Sequence, residues 1–216
     1  MMKCEKKLID RLDYAAQMCH GKRVLDIGGQ HPLNHETTHP FGLSYRRIAQ
    51  NASQYECFDR DVKPNVKYAG DLNTVDGRDL LARTLEDYQP QVVLCMEILE
   101  HLNHPHAIMN ILAMYLRKGD DREVFITIPN NGNWILNALG WNQDHNVSFF
   151  KGTATRFVER SDLGGFSIVM LPCMQKYKWY WWIIYLLSFG QPFNWGFAIC
   201  NSSVPAKKKP FASKDC

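Results

Sequence analysis

No Cys-x-x-Cys pair occurs in the 216 residues, although seven cysteines are present: Cys4, Cys19, Cys57, Cys95, Cys173, Cys200 and Cys216. A zinc ribbon and a thioredoxin-type redox pair are therefore excluded. The cysteines are scattered singly and odd in number, and Cys57, Cys95 and Cys200 sit in apolar runs where a reduced thiol behaves as a small hydrophobe. A reducing, cytoplasmic compartment is expected. Excess charge is also missing. Twenty-five Lys and Arg against 22 Asp and Glu leave a formal charge of +3, too little for a dedicated basic face, so no nucleic-acid partner is expected. Met1 to Asp10 is charged and lacks a continuous apolar stretch, which reads as no secretory signal. The longest apolar run, Trp179 to Leu187 with Phe189 beyond it, has nine unbroken residues, against the about 20 that a membrane-spanning helix needs. It reads as a buried segment, a pocket wall, or an aromatic wedge making peripheral membrane contact through Trp179–Phe189.

What is present is the composition of an ordinary globular domain, 45% apolar and 22% charged. Short β-type runs occur at Arg23–Ile27, Tyr55–Phe58, Val66–Ala69, Val92–Met96, Val124–Ile128, Phe166–Leu171 and Trp195–Cys200. Helical patterns separate several of them. Leu80, Leu81 and Leu85 share a face near Asp79–Tyr88, and Ile108, Ile111, Leu112 and Tyr115 do so within Pro105–Arg117. Thr153 is expected to cap a helix carrying Phe157 and Val158. Strands alternating with helices predict βαβ crossovers, hence an α/β fold with a mainly parallel seven-stranded sheet and helices on both faces. Past Phe166 the alternation weakens, which predicts an antiparallel last strand. One domain is expected over 1–204, with a flexible basic tail over 205–216.

The candidate chemistry lies at strand ends. The first run ends Val24-Leu-Asp-Ile-Gly-Gly-Gln30; Gly28 and Gly29 let the backbone turn sharply toward a ligand, and Asp26 can orient that turn by accepting backbone hydrogen bonds. Asp59, ending Tyr55-Glu-Cys-Phe-Asp59, offers two acceptor oxygens to a ribose diol. Asp71 and Leu72 follow the third run and can flank an adenine ring. The fourth continues as Val92-Val-Leu-Cys-Met-Glu-Ile-Leu-Glu-His-Leu-Asn-His-Pro105.

This ordered set, with Val124-Phe-Ile-Thr-Ile-Pro-Asn130 and Asp144-His-Asn-Val-Ser-Phe-Phe150 after it, resembles the class I S-adenosylmethionine-dependent methyltransferases. The closest likeness is to the small-molecule branch with E-x-x-E-H after the fourth strand. The resemblance implies a Rossmann-like sheet and S-adenosylmethionine as cofactor. It assigns Asp26, Gly28 and Gly29 to the cofactor turn, Asp59 to the ribose, Asp71 and Leu72 to the adenine, and Cys95, Met96 and Glu97 to the methionine portion. It also makes Met174–Gln191 a substrate cover. Two departures stand out. Gly28-Gly29 is followed by Gln30-His31-Pro32 rather than further glycines, and Asp59 lies 31 residues beyond Gly28, against about 20 in the dinucleotide pattern. The surplus, carrying His31, Pro32, His35, His39 and Pro40, predicts a longer loop at the cofactor edge.

The implied reaction is methyl transfer to a small-molecule, glycan or lipid-linked acceptor. His145 is the first candidate base and His101 the second. No metal is expected: Pro32, Pro40 and Pro105 interrupt the His31/His35/His39 and His101/His104/His106 groups, and no cysteine joins either. The familiar exocyclic-amine methyltransferases are disfavoured because no Asn/Asp-Pro-Pro-Tyr follows the fourth strand. A nicotinamide-dependent oxidoreductase is disfavoured by the lack of Gly-x-Gly-x-x-Gly. A non-catalytic nucleotide-binding or membrane-associated scaffold is the other reading.

Overall fold

The computed structural model describes residues 2–28, 40–63, 66–138, 145–174 and 180–201. Gly29, Asp144, Trp179 and the tail 205–216, together with His31, Pro32, His35 and His39, lie outside the described residues. The strands predicted from sequence all form: β3 (Arg23–Ile27), β4 (Gln54–Asp59), β5 (Tyr68–Ala69), β6 (Val92–Met96), β7 (Glu123–Pro129), β8 (Ser167–Met174) and β9 (Asn194–Cys200). Preceding them are β1 (Met2–Cys4) and β2 (Ile9–Asp10), both pairing parallel to β8. Among the described residues the sheet therefore has nine strands rather than the expected seven, in the order β1-β8-β9-β7-β6-β3-β4-β5 with β2 also on β8. The two extra strands are three and two residues long, too short to show a period, and only pairing to β8 makes them strands.

β9 runs antiparallel to both β7 and β8, as the weakened alternation past Phe166 predicted. The other pairings are parallel, and each strand's alternate side chains enter opposite layers. Leu25, Ile27, Val93, Cys95, Val124 and Ile126 pack with α3 (Val75–Tyr88), α4 (Pro105–Arg117) and α6 (Lys151–Arg160). Val24, Val92, Leu94, Met96 and Phe125 pack on the other face with α1 (Arg11–Met18) and with Ile48 of α2 (Pro40–Asn51). Two further helices are found among the described residues: α5 (Trp134–Ala138) and α7 (Tyr180–Leu187).

Two helix starts differ from the sequence reading. α3 begins four residues before Asp79, because the Thr74 hydroxyl accepts a hydrogen bond from Gly77 N at 3.1 Å and so caps the helix earlier than its apolar face begins. Thr153 is not the N-cap of α6. It stands at the third helical position, where its hydroxyl accepts from Phe150 N at 2.8 Å and donates to Phe150 O at 2.9 Å. The chain passes from β3 through α2 to β4 on one side, then crosses to β6 on the other side of β3. That reversal opens a crevice at the carboxyl ends of β3 and β6, the place where α/β sheets bind ligands.

Candidate active site

Beyond these carboxyl ends lies a cleft of about 260 Å³, lined by Gly28, Phe58, Asp59, Gly70, Asp71, Leu72, Ile98, His101 and Leu102, with Arg60, Asp61, Lys63 and Asn73 at its rim. Gly28 turns out of β3 at φ +72° and donates its N–H to Phe58 O at 2.7 Å. A side chain there would have its Cβ 1.9 Å from Ile98 Cδ1, so both backbone and space demand glycine. Asp59 is largely buried at the tip of β4. Its Oδ1 accepts from Asp61 N at 3.2 Å and its Oδ2 faces Lys63 Nζ at 3.8 Å. A carboxylate has about four acceptor positions, so room for a diol remains and the residues present fit a ribose. Asp71 is held in its turn by accepting from Asn73 N at 2.9 Å.

Asp26 is 1% exposed. Among the described residues its Oδ2 accepts from the Tyr55 hydroxyl at 2.5 Å; the turn beyond Gly28, from which backbone donors are expected, lies outside the described residues. Burial pushes the Asp26 pKa up to about 7, the Tyr55 hydrogen bond opposes this, and the charge of Asp59 adds to it. The Asp26 side chain therefore supports β3 and β4 from within.

At the other end of the cleft, β6 runs into Glu97, whose φ of +57° is unusual for a residue other than glycine. The conformation is held by Glu97 N donating to Thr127 O at 3.0 Å. Its carboxylate is equally engaged. Oε1 accepts from Thr127 Oγ1 at 2.8 Å and pairs with Arg11 Nη1 at 3.0 Å, while Oε2 accepts from Asn194 Nδ2 at 2.7 Å. Arg11, Thr127 and Asn194 carry no local motif, and sequence reasoning missed them.

Leu99–His101 then forms a 3-10 turn that places two further groups. Glu100 is 1% exposed, and among the described residues its carboxylate oxygens have no hydrogen-bond partner. Burial raises its pKa well above the usual carboxylate range, and the nearby Glu97 charge raises it further. The Glu100 carbonyl accepts from Asn146 N at 2.8 Å and Val147 N at 3.0 Å, and Asn146 Nδ2 donates to His101 O at 2.8 Å. These bonds dock the segment after α5 onto the turn. They bring the His145 ring within 5.0 Å of the His101 ring, centroid to centroid and nearly perpendicular. Side-chain ligand atoms of Glu100, His101 and His145 lie within 4.8 Å of one another, close enough to share a metal ion. His104 and His106, considered from sequence, are not part of this group.

Of the residues singled out from sequence, Gly28, Asp59, Asp71, Leu72 and His101 line one cleft, and His145 stands against His101. Cys95 and Met96 do not line it. Their side chains enter the core on opposite faces of β6, and burial pushes the Cys95 thiol up. Glu97 is held by the contacts above, and the cleft wall begins at the next residue, Ile98, which the sequence reading did not single out.

No family model matches the chain. It is similar to the ubiquinone biosynthesis O-methyltransferase of Yersinia enterocolitica, 30% identical over 169 residues, which is 72% of this chain and 64% of that protein. The Escherichia coli protein of the same name is 27% identical over 169 residues, covering 72% and 65%. The chain thus spans just under two thirds of these relatives' length. Among solved structures, an S-adenosylmethionine-dependent methyltransferase from Archaeoglobus fulgidus superposes with a TM-score of 0.54 at 13% identity, covering 88% of this chain and 90% of that one. One from Mesorhizobium loti gives 0.52 at 12% identity, covering 88% and 100%. The parallel sheet with its antiparallel β9, the cleft at its carboxyl edge and these likenesses together give the chain the fold of the class I S-adenosylmethionine-dependent methyltransferases.

Proposed function

We propose that this chain is an S-adenosylmethionine-dependent methyltransferase acting on a hydroxyl group of a small-molecule acceptor. The observation that carries this reading is that one cleft runs from Asp59 and Asp71 at one end to His101 at the other, with His145 against His101. The bound sulfonium would supply an already activated methyl group. Asp59 would accept the two ribose hydroxyls and Leu72 would flank the adenine, fixing the methyl at the His101 end. His145 would take the proton from the acceptor hydroxyl as the new O–CH3 bond forms and the S–CH3 bond breaks, leaving a neutral thioether. An oxygen acceptor is also supported by the relatives' description as O-methyltransferases. Cys57 and Cys95 are buried with their thiols pushed up by desolvation, so neither serves as a nucleophile.

A second reading is favoured by Glu100. A buried carboxyl with no hydrogen-bond partner among the described residues, beside two imidazoles, is also a candidate three-ligand seat for a divalent cation. Such a cation would be held by Glu100, His101 and His145 and would acidify a bound hydroxyl.

The test is transfer of tritiated methyl from S-adenosylmethionine into compounds of a boiled cell extract. Label should enter base-stable, neutral products, and His145→Ala should lower the rate by about 100-fold without weakening S-adenosylhomocysteine binding. Activity that survives EDTA supports the imidazole base; activity lost to EDTA and restored by Mn²⁺ or Zn²⁺ supports the second reading. Tight cofactor binding without label transfer would leave only the scaffold, and tight NAD binding would overturn the assignment.

A further inference from the structure

We propose that the outer stripe of α7, with Phe189, is a docking surface for an anionic lipid bilayer. α7 reads Tyr180-Trp-Trp-Ile-Ile-Tyr-Leu-Leu187 and carries no charged residue on any side. A helix apolar all round belongs in a core, yet of its five described side chains only Tyr185 is partly buried. Tyr185 packs against the cluster of Leu136, Met174 and Phe193, and Ser188 is fully buried. Trp182, Ile183, Leu186 and Leu187, spaced as one face of a helix, are all exposed, Leu186 by 70%. Phe189 follows at 87% exposure, in the left-handed region at φ +56°. It is held there by Gly190 N donating to Tyr185 O at 2.9 Å. A large aromatic fixed outward in a conformation that favours glycine has no folding benefit to explain it. The segment behind it is rigidly tied, since Asn130 Nδ2 donates to Pro192 O at 2.9 Å and Asn133 Nδ2 to Gln191 O at 3.3 Å.

The charge pattern selects the occupant. From Leu163 to Lys214 the sequence contains no Asp or Glu, while Lys176, Lys178, Lys207, Lys208, Lys209 and Lys214 all fall in it. An apolar, Trp-bearing stripe within a chain segment of purely positive charge matches a bilayer whose headgroups are negative and whose interface takes aromatic rings. Spanning is excluded for α7, because no described helix is long and apolar enough to cross a membrane; eight residues extend only about 12 Å. A second copy of the chain is a poor fit, because a stripe of that length cannot by itself supply the about 800 Å² per partner of a stable dimer. Residues 191–193 lead from this stripe to Asn194, whose side chain donates to Glu97 Oε2. The proposal does not depend on methyl transfer.

The experiment is co-sedimentation of the full chain with vesicles of phosphatidylglycerol and phosphatidylcholine, and with phosphatidylcholine alone. The double variant Leu186→Ser, Phe189→Gly should retain the fold, because both side chains are exposed and glycine suits the left-handed position. Strong binding to the anionic vesicles is expected, weakened by 0.5 M salt and by removal of the anionic lipid. The double variant should lower the partition coefficient at least tenfold while keeping its thermal midpoint. Failure of the wild type to sediment, or equal binding by the variant, overturns the proposal. A concentration-dependent dimer lost in the variant, without vesicle binding, would give the surface to a second copy instead.

Discussion

At the β4–β5 end of the cleft the charged groups are neighbours in sequence, and all but Asp59 meet water. Lys63 Nζ reaches Asp61 Oδ2 at 3.3 Å and Asp59 Oδ2 at 3.8 Å, and Arg60 pairs with Asp61 at 3.3 Å. At the β6 end Arg11, Thr127 and Asn194, brought in by three separate strands and helices and all buried, converge on the partly exposed carboxylate of Glu97. The first end can exchange Lys63 for a ligand at modest cost, because its contact with Asp59 is long, at 3.8 Å, and Lys63 also pairs with the exposed Asp61. The second is coupled to the fold, because an unpaired buried charge is costly. One end is thus built to bind and the other to hold its shape.

The contrast predicts a graded series of stability effects in urea unfolding. The largest is Glu97→Ala, which removes an ion partner of the buried Arg11 and an acceptor of both Thr127 and Asn194; a loss of about 3–5 kcal/mol is expected. A loss below 1 kcal/mol would show that this end is no more coupled than the other. Next is Gly28→Ala, where the two ends meet. The methyl would collide with Ile98 at φ +72°, and about 2–4 kcal/mol should be lost. The smallest is Lys63→Ala at the wet end, with a change under about 0.5 kcal/mol.

Between Gly28 and Lys63 in size stands Asp26→Asn, whose effect depends on pH. The folded protein holds the Asp26 proton up to about pH 7, against an ordinary value of 3.8. Between those limits the folded state binds the proton more tightly, so this group's contribution to stability falls as pH rises from about 4 to 7. Asn removes that slope and should leave the variant more stable than wild type at pH 8 by about 1–4 kcal/mol. Unfolding midpoints measured from pH 5 to 8 check it; parallel profiles would contradict the assigned burial.

The same contrast explains what could be read from sequence. The strand runs were legible because they are short and bounded by turn residues, and a central one such as β6, with five buried positions, is apolar on both faces. Gly28, Asp59, Asp71 and Leu72 were legible because a strand end followed by a turn is a local pattern. Arg11 and Asn194 were not, since nothing in either neighbourhood announces a partner near residue 97. The same holds for the short strands β1 and β2, which depend on β8 for their pairing. Glu100, His101 and His145 were visible as residue types, but their meeting depends on backbone bonds from Asn146 and Val147 that no spacing rule foretells.

The central claim is that the wet end of the cleft receives the adenosine portion of S-adenosylmethionine through Asp59. Calorimetric titration of S-adenosylhomocysteine into wild type and Asp59→Ala tests it most directly. The account predicts dissociation at micromolar concentrations for wild type, about −8 kcal/mol. For the variant it predicts binding weaker by about 10- to 100-fold, the loss of hydrogen bonds to a charged acceptor, at an unchanged unfolding midpoint. No heat with wild type, or equal affinity in the two proteins, would contradict it.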